Sequence, residues 1–189
     1  SLTGEVSAQV RDSLMAHFAP VVGLLVGPYA NLKFALSWRG ESLAQYSIPV
    51  TAELGTSVDI PIPPLNIAGI AQYDPHQARL EASYHGLQAA SFSVAATYKG
   101  WSHYQNPIEY PAASIDYPPQ PPPGFHDTLV VHAGIELHLP WDAWLLEPRL
   151  GYTYEPSPAP EQTGFHNYLS NDRHIIGSGL GIGYADFTL

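Results

Sequence analysis

The chain has 189 residues, 13% of them charged, with 7 Lys plus Arg against 17 Asp plus Glu, a net charge of -10 and no cysteine. Cations this few exclude a nucleic-acid partner, because neutralising a phosphate backbone takes clustered Lys and Arg, and the missing thiols exclude disulfides, thiolate metal sites and thiol catalysis. Charge falls well under the usual share of about 25% while hydrophobic content, at 45%, is ordinary, so the outward surface of a soluble β-protein would lack its normal Lys and Glu.

Alternation of apolar and polar residues marks about ten candidate strands, at 2–11, 20–27, 31–39, 43–54, 65–73, 77–86, 89–101, 128–139, 143–154 and 173–187. The first sets Leu2, Gly4, Val6, Ala8 and Val10 against Thr3, Glu5, Ser7, Gln9 and Arg11. Val6, Val10, Leu14 and Phe18 also fit a helical stripe, so residues 1–17 stay open between strand and helix. Further on, Leu32, Phe34, Leu36 and Trp38 alternate with Lys33, Ala35, Ser37 and Arg39, and Ala78, Leu80, Ala82 and Tyr84 with Arg79, Glu81, Ser83 and His85. Ala90, Phe92, Val94, Ala96 and Tyr98 follow the same rule. So do Leu129, Val131, Ala133, Ile135, Leu137 and Leu139, against Val130, His132, Gly134, Glu136 and His138. Leu150, Leu180 and Ile182 extend the apolar set into the last two strands. Gly27 to Asn31, Asp74 to His76 and Pro140 to Ala143 are expected as tight turns, whereas Ser102–Asp127 and Glu155–Asp172 are long, Pro-rich and without period.

Each strand thus has two unlike faces, and aromatics choose the solvent of the apolar one. Trp38, Tyr84, Tyr98, Trp101, Trp144, Tyr152, Tyr154 and Tyr184 all lie near strand ends, where rings with an apolar body and a polar edge settle at lipid headgroups. A sandwich core capped by the same rings is the competing reading. The expected fold is a single all-β domain over 1–189. It is an antiparallel transmembrane β-barrel of about 8–10 strands with long loops on one rim, facing lipid through Leu32, Phe34, Leu36, Leu80, Phe92, Val94, Leu129, Val131, Ile135, Leu137, Leu150, Leu180 and Ile182. No run of 18 or so apolar residues marks a membrane helix, and an export signal is expected to have been removed or left out.

On the polar face, Gly177, Gly179, Gly181, Gly183 and Ala185 alternate with Ser178, Leu180, Ile182 and Tyr184. Glycines in register imply close approach, either by a large neighbouring side chain or a bend, or by a ligand or plug. Glu136 and Arg149 are expected to pair across the hairpin formed by residues 128–154. Neither an enzyme, a metal site nor a cofactor is expected. Phosphate loops, Gly-x-Ser-x-Gly and His-Glu-x-x-His are absent, and His132 and His138, six residues apart on one strand, lie about 20 Å from each other. The remaining loop histidines, His103, His126, His166 and His174, read as polar surface. A Ser, a His and a carboxylate could still meet in space, but no residue stands out for it.

Between Glu147 and Leu180 the segments Arg149-Leu150-Gly151-Tyr152-Thr153-Tyr154-Glu155-Pro156-Ser157-Pro158-Ala159-Pro160 and Asn171-Asp172-Arg173-His174, with the glycine-alternating strand, resemble the FadL and TodX family of outer-membrane transporters for hydrophobic compounds. Gly100-Trp101-Ser102 and Phe18-Ala19-Pro20 are weaker matches. The resemblance singles out Ser157, Pro158, Pro160, Asp172, Arg173 and His174 as a family-type loop. It implies a porin-like protein of a Gram-negative outer membrane that binds or encloses lipid or other hydrophobic molecules as a homo-oligomer, or else a shortened transporter. Members of the family are longer and carry an amino-terminal plug that has no counterpart in this sequence, so the plug's transport mechanism is not implied. A soluble barrel or sandwich with a structural or adhesive role is the third expectation.

Overall fold

A computed structural model describes residues 7–10, 13–53, 65–109, 121–161, 170–184 and 187–188. The described chain is all-β and every pairing is antiparallel. Its strands are β1 (Ser7–Val10), β2 (Ser13–His17), β3 (Val21–Tyr29), β4 (Leu32–Arg39), β5 (Ser42–Glu53), β6 (Leu65–Asp74), β7 (Gln77–Tyr84), β8 (Ala90–Lys99), β9 (Ile108–Glu109), β10 (Thr128–Leu137), β11 (Leu139–Trp141), β12 (Trp144–Glu155), β13 (Arg173–Tyr184) and β14 (Phe187–Thr188). One 3-10 turn, Trp101–His103, follows β8. Residues 2–6 and 11 of the first candidate strand, the middles of both long loops with His166, and Ala185 lie outside the described residues.

The chain groups into two compact units. The first comprises Ser1–Phe18, Glu41–Asp74 and Tyr104–Pro123, and the second Ala19–Gly40, Pro75–His103 and Gly124–Leu189. In the first unit β5 pairs with β1 and β2 along one edge and with β6 along the other, and β9 adds to β6. Gly69 is required here, because a Cβ would collide with the Pro107 carbonyl, which instead accepts a hydrogen bond from Ile70 N at 2.9 Å. Of the residues where the sequence left strand and helix open, Ser7–Val10 and Ser13–His17 are strands.

The second unit is one meander, β14-β13-β12-β10-β8-β7-β4-β3, with β11 on β12. Three of the ten expected wall strands (2–11, 43–54 and 65–73) therefore belong to the other sheet, and β4 pairs directly with β7 across the excursion. A closed barrel is not found among the described residues. The sheet has two edges, β3 and the β13–β14 side.

Turn chemistry explains the hairpins. Ala30 and Asn31, at φ 49° and 67°, form a two-residue β3–β4 loop of the mirror-image type that matches strand twist. The expected turn from Gly27 is thus shorter, since Gly27, Pro28 and Tyr29 continue β3 through a register shift between Val26 and Tyr29. Gly27, at φ 117°, has no room for a Cβ, which would lie 2.6 Å from the Leu32 carbonyl oxygen. At the other hairpin Asp142, φ 55°, begins the loop between β11 and β12. The expected strand 128–139 is divided at His138 into β10 and β11, and the His138 N–H donates to the Ala89 carbonyl at 2.8 Å in the register of the β8–β10 ladder.

Candidate functional site: two faces of one sheet

Register across the second unit sorts its side chains without ambiguity, because residues directly opposite in an antiparallel pair point to the same side. One row runs Leu24, Leu36, Leu80, Ala96, Val131, Tyr154 and His174, and the next Val26, Phe34, Ala82, Val94, Ala133, Tyr152 and Ile176. A third passes through Leu32, Tyr84, Phe92, Ile135 and Leu150. All thirteen aliphatic and aromatic residues expected to face lipid share this face. Ten of them are exposed, from 36% at Ile182 to 62% at Leu180, while Leu32, Ile135 and Leu137 are half-buried. Buried apolar side chains among the described residues are few: Pro75, Ala90, Ala95, Pro123 and Val130.

Aromatic residues close this face at both ends. Trp38 and Tyr98 share the row next to the long loops, Tyr152 and Tyr154 stand beside them, and Tyr84, Trp144 and Tyr184 lie at the turn end, where the last two rings sit 4.6 Å apart. From Trp144 to Tyr154 is ten residues, about 33 Å along the strand. Trp101 departs from this pattern. It sits in the 3-10 turn and packs edge-on to Phe125 at 6.1 Å.

The opposite face carries the charge. Arg79 reaches Glu81 at 2.9 Å, and Glu155 bridges Lys99 and Arg173, each at 2.6 Å. Glu136 and Arg149, the pair expected from the hairpin, meet at 2.6 Å, and Arg149 also lies 3.4 Å from Glu147. His132 Nδ1 is 2.8 Å from the Thr153 hydroxyl. Two concavities of about 510 Å³ each lie over this face, one lined by Arg79, Lys99, His132 and Glu155, the other by Ser91, Glu136, Arg149 and the glycines Gly134, Gly151, Gly177 and Gly179.

The glycine alternation resolves residue by residue. At Gly181 a Cβ would meet Glu147 Oε2 at 3.0 Å and Cβ at 3.2 Å, so a large neighbour presses there. Nothing lies within 4 Å of a Cβ at Gly177, which opens onto the concavity.

Near the turn end, Glu136, His138 and Glu147 bring one ligand atom each within 4.8 Å of one another, a spacing a cation could use. The Arg149 guanidinium already supplies positive charge to both carboxylates there, which opposes a divalent ion. His138 stands with Nδ1 3.1 Å from Glu147 Oε1 and Nε2 3.0 Å from Ser91 Oγ. Ser91 Oγ is also 3.1 Å from His85 Nδ1, whose Nε2 is 3.2 Å from the Ser83 hydroxyl. The sequence alone singles out neither Ser91 nor Glu147 for a site. Only the parity of both residues on the polar face could have pointed to them, since the register that joins Glu136 to Arg149 continues past His138 to Leu139 and Leu146.

Both long loops are clasped by the same device. Tyr98 OH donates to Asp127 Oδ2 at 2.5 Å, and Ser102 N–H to Asp127 Oδ1 at 2.9 Å. Tyr154 OH donates to Asp172 Oδ2 at 2.6 Å, and Ser157 N–H to Asp172 Oδ1 at 2.8 Å. These bonds to the charged form lower both carboxyls, the Tyr98 hydroxyl contributing most at Asp127, which falls to about 2, and the Tyr154 hydroxyl most at Asp172. The Ser157-to-Pro160 loop is part of the second clasp. Ser157 Oγ donates to the Ser170 carbonyl and accepts from Ala159 N–H, and Pro158 O accepts from His126 N–H at 3.0 Å. Arg173 joins the polar face through Glu155, while His174 lies on the apolar face with its ring 5.0 Å from that of Tyr154.

No family model matches the chain, and neither does any curated protein.

Proposed function

We propose that the second unit is membrane-spanning wall of an outer-membrane β-barrel, a porin-like protein of FadL type from a Gram-negative bacterium that holds lipid against its apolar face. The observation that carries this is the sorting of the sheet: exposed aliphatics on one face between two aromatic belts, ion pairs on the other. A wall with lipid outside and water inside needs that division, and a sandwich needs the apolar face covered. Membrane lipid is the partner this reading names, with other hydrophobic molecules able to take the same surface. Backbone groups in lipid must all be paired, so the edges at β3 and β13 each require a strand partner there, and a second copy of the chain supplies one. Passage of apolar compounds along the concave face gains no support from its charges.

Detergent phase separation with bromolipid quenching tests the reading. The protein is expected to enter the detergent phase, and the fluorescence of Trp38 and Trp144 to be quenched by lipids brominated near the headgroup. Protein that stays in the aqueous phase without detergent overturns it. Native mass spectrometry in mild detergent tests the assembly separately, and lipid-free monomer alone would remove the homo-oligomer.

A further inference from the structure

We propose that Ser91 is a nucleophile activated by His138 and Glu147, and that the concavity in front of it takes a short carboxylic ester. Three side chains from β8, the break after β10, and β12 are lined up in the order that serine acyl transfer needs. Ser91 Oγ is 3.0 Å from His138 Nε2, and His138 Nδ1 is 3.1 Å from Glu147 Oε1. A carboxylate at Nδ1 holds the proton on that nitrogen and leaves Nε2 as the acceptor facing the hydroxyl. The backbone supports this placement. Ser91 and Glu136 are direct partners in the β8–β10 ladder, and the His138 N–H is anchored to the Ala89 carbonyl, two residues before Ser91.

A second imidazole distinguishes this arrangement from an ordinary polar chain. His85 Nδ1 also lies 3.1 Å from Ser91 Oγ, but what stands behind its ring is the Ser83 hydroxyl rather than a carboxylate. In the tautomer where the Ser83 hydroxyl donates to Nε2, His85 carries its proton on Nδ1 and presents an N–H beside Ser91 Oγ, next to where an acylating carbonyl would bind. The two rings differ in their partners, a carboxylate behind His138 and a hydroxyl behind His85. The concavity of about 510 Å³ is lined by Ser91, His85 and Arg149, and its floor is kept low by Gly151, Gly177 and Gly179. That volume falls in the range of small-molecule sites. Divalent metal in the same place is disfavoured by the Arg149 guanidinium.

In the reaction, the Ser91 oxygen forms a bond to the ester carbonyl carbon as its proton passes to His138 Nε2, and Glu147 stabilises the imidazolium. The oxyanion accepts from His85 until the intermediate collapses. The carbon–alkoxy bond then breaks, and the alcohol leaves with the proton held by His138. Water, deprotonated by the same nitrogen, cleaves acyl-Ser91 to the carboxylic acid and restores the serine. Ser91 and His138 touch the reacting atoms, and Glu147 is a positioning residue. The arrangement stands on side-chain geometry within the second unit and is independent of what covers the apolar face.

The test is covalent labelling of the full folded chain in detergent with a fluorophosphonate probe, read by intact mass and peptide mapping. The expected result is one adduct, on Ser91, absent in Ser91→Ala and slowed about 100-fold or more in His138→Gln. Because the chain has no cysteine, Ser91→Cys offers a single thiol. Its alkylation by iodoacetamide is expected to titrate at least a unit below the roughly 8.5 of a free thiol, and to return toward that value when Glu147→Gln is added. No adduct on Ser91 of the wild-type chain, or a thiol at position 91 that titrates as a free one, overturns the proposal. The wild-type labelling needs no substitution to fold, so the proposal stays testable whatever the variants do.

Discussion

The two faces of the β3-to-β13 sheet are built from the same strands and the same backbone, yet they are stabilised in opposite ways. One face leaves Leu24, Leu36, Leu80 and Val94 exposed and makes no ion pair among the described residues. The other holds Arg79–Glu81, Lys99–Glu155–Arg173 and Glu136–Arg149 in short bonds and exposes few large aliphatics outside its edge strands. Since a strand's side chains alternate strictly, neither face can be changed without the other feeling a one-residue slip. A sheet of this kind needs different surroundings on its two faces, whether lipid or a covering layer lies on the apolar one, which makes the environment of each face the quantity to measure.

The largest effect separates lipid from water directly. Val94 sits mid-strand in the Val26-to-Ile176 row, half-exposed at 57%. In a lipid-facing wall, Val94→Arg is expected to cost about 2–4 kcal/mol, the penalty for a cation near the bilayer midplane. At an exposed position in water the same change should stay within about 0.5 kcal/mol. Equilibrium unfolding in liposomes distinguishes these values, and the smaller one would reverse the assignment of this face.

On the polar face the corresponding experiment removes the bridge. Glu155→Ala is expected to lose about 2 kcal/mol, mostly from the half-buried Lys99 partner, since hydrogen bonds to charged groups contribute about 1.5–3 kcal/mol. Arg173, 66% exposed, should add less than about 1 kcal/mol. A Lys99→Met, Glu155→Met double variant restoring stability would show that the cost lies in the orphaned ammonium rather than in the lost bridge.

Acid distinguishes the clasped loops from the wall. Asp127 is held at about 2 by the Tyr98 hydroxyl and the Ser102 N–H, below the roughly 3.9 of an unfolded aspartate. A depressed folded pKa means the clasp's contribution is complete above about pH 4 and is lost as pH falls through about 2. Limited proteolysis of the Ser102–Asp127 loop should therefore be unchanged between about pH 8 and about pH 5. A carbon-13 titration of the Asp127 carboxyl should move up toward its ordinary value in Tyr98→Phe. An unmoved titration would mean that the hydroxyl does not set it.

Much of this architecture was readable from residues alone, for physical reasons that also mark where reading stops. Alternation locates β4, β7, β8, β10, β12 and β13 to within three residues, because a sheet with two unlike faces imposes period two on every strand it contains. The same period runs through β5 and β6, so nothing in it separates their sheet from the meander. That distinction depends on β4 pairing β7 across the whole Glu41–Asp74 excursion, a long-range choice with no local signature. The Glu136–Arg149 pair was legible since hairpin register follows from a short turn. Ser91, His85 and Glu147 were not, because three strands must be placed before they meet. Tyr98 and Tyr154 were legible as belt aromatics, whereas their hydroxyl bonds to Asp127 and Asp172 span long aperiodic loops.

The smallest effects test whether the glycines of β13 serve neighbours or space. Gly181 faces Glu147, and a methyl group added there would lie 3.0 Å from Oε2 and 3.2 Å from Cβ, the second of which is fixed to the backbone and cannot swing aside. Gly181→Ala should cost about 1 kcal/mol, through a Glu147 displaced from Arg149 and His138. Gly177 meets nothing within 4 Å, so Gly177→Ala should be neutral or stabilising by about 0.4–1 kcal/mol through the reduced freedom of the unfolded chain. Thermal unfolding of the two variants side by side decides the matter. Equal destabilisation would mean that the concavity over Gly177 is filled by something pressed against it. A split of the expected sign would leave that floor open, and Gly177→Phe should then slow labelling of Ser91 without loosening the sheet.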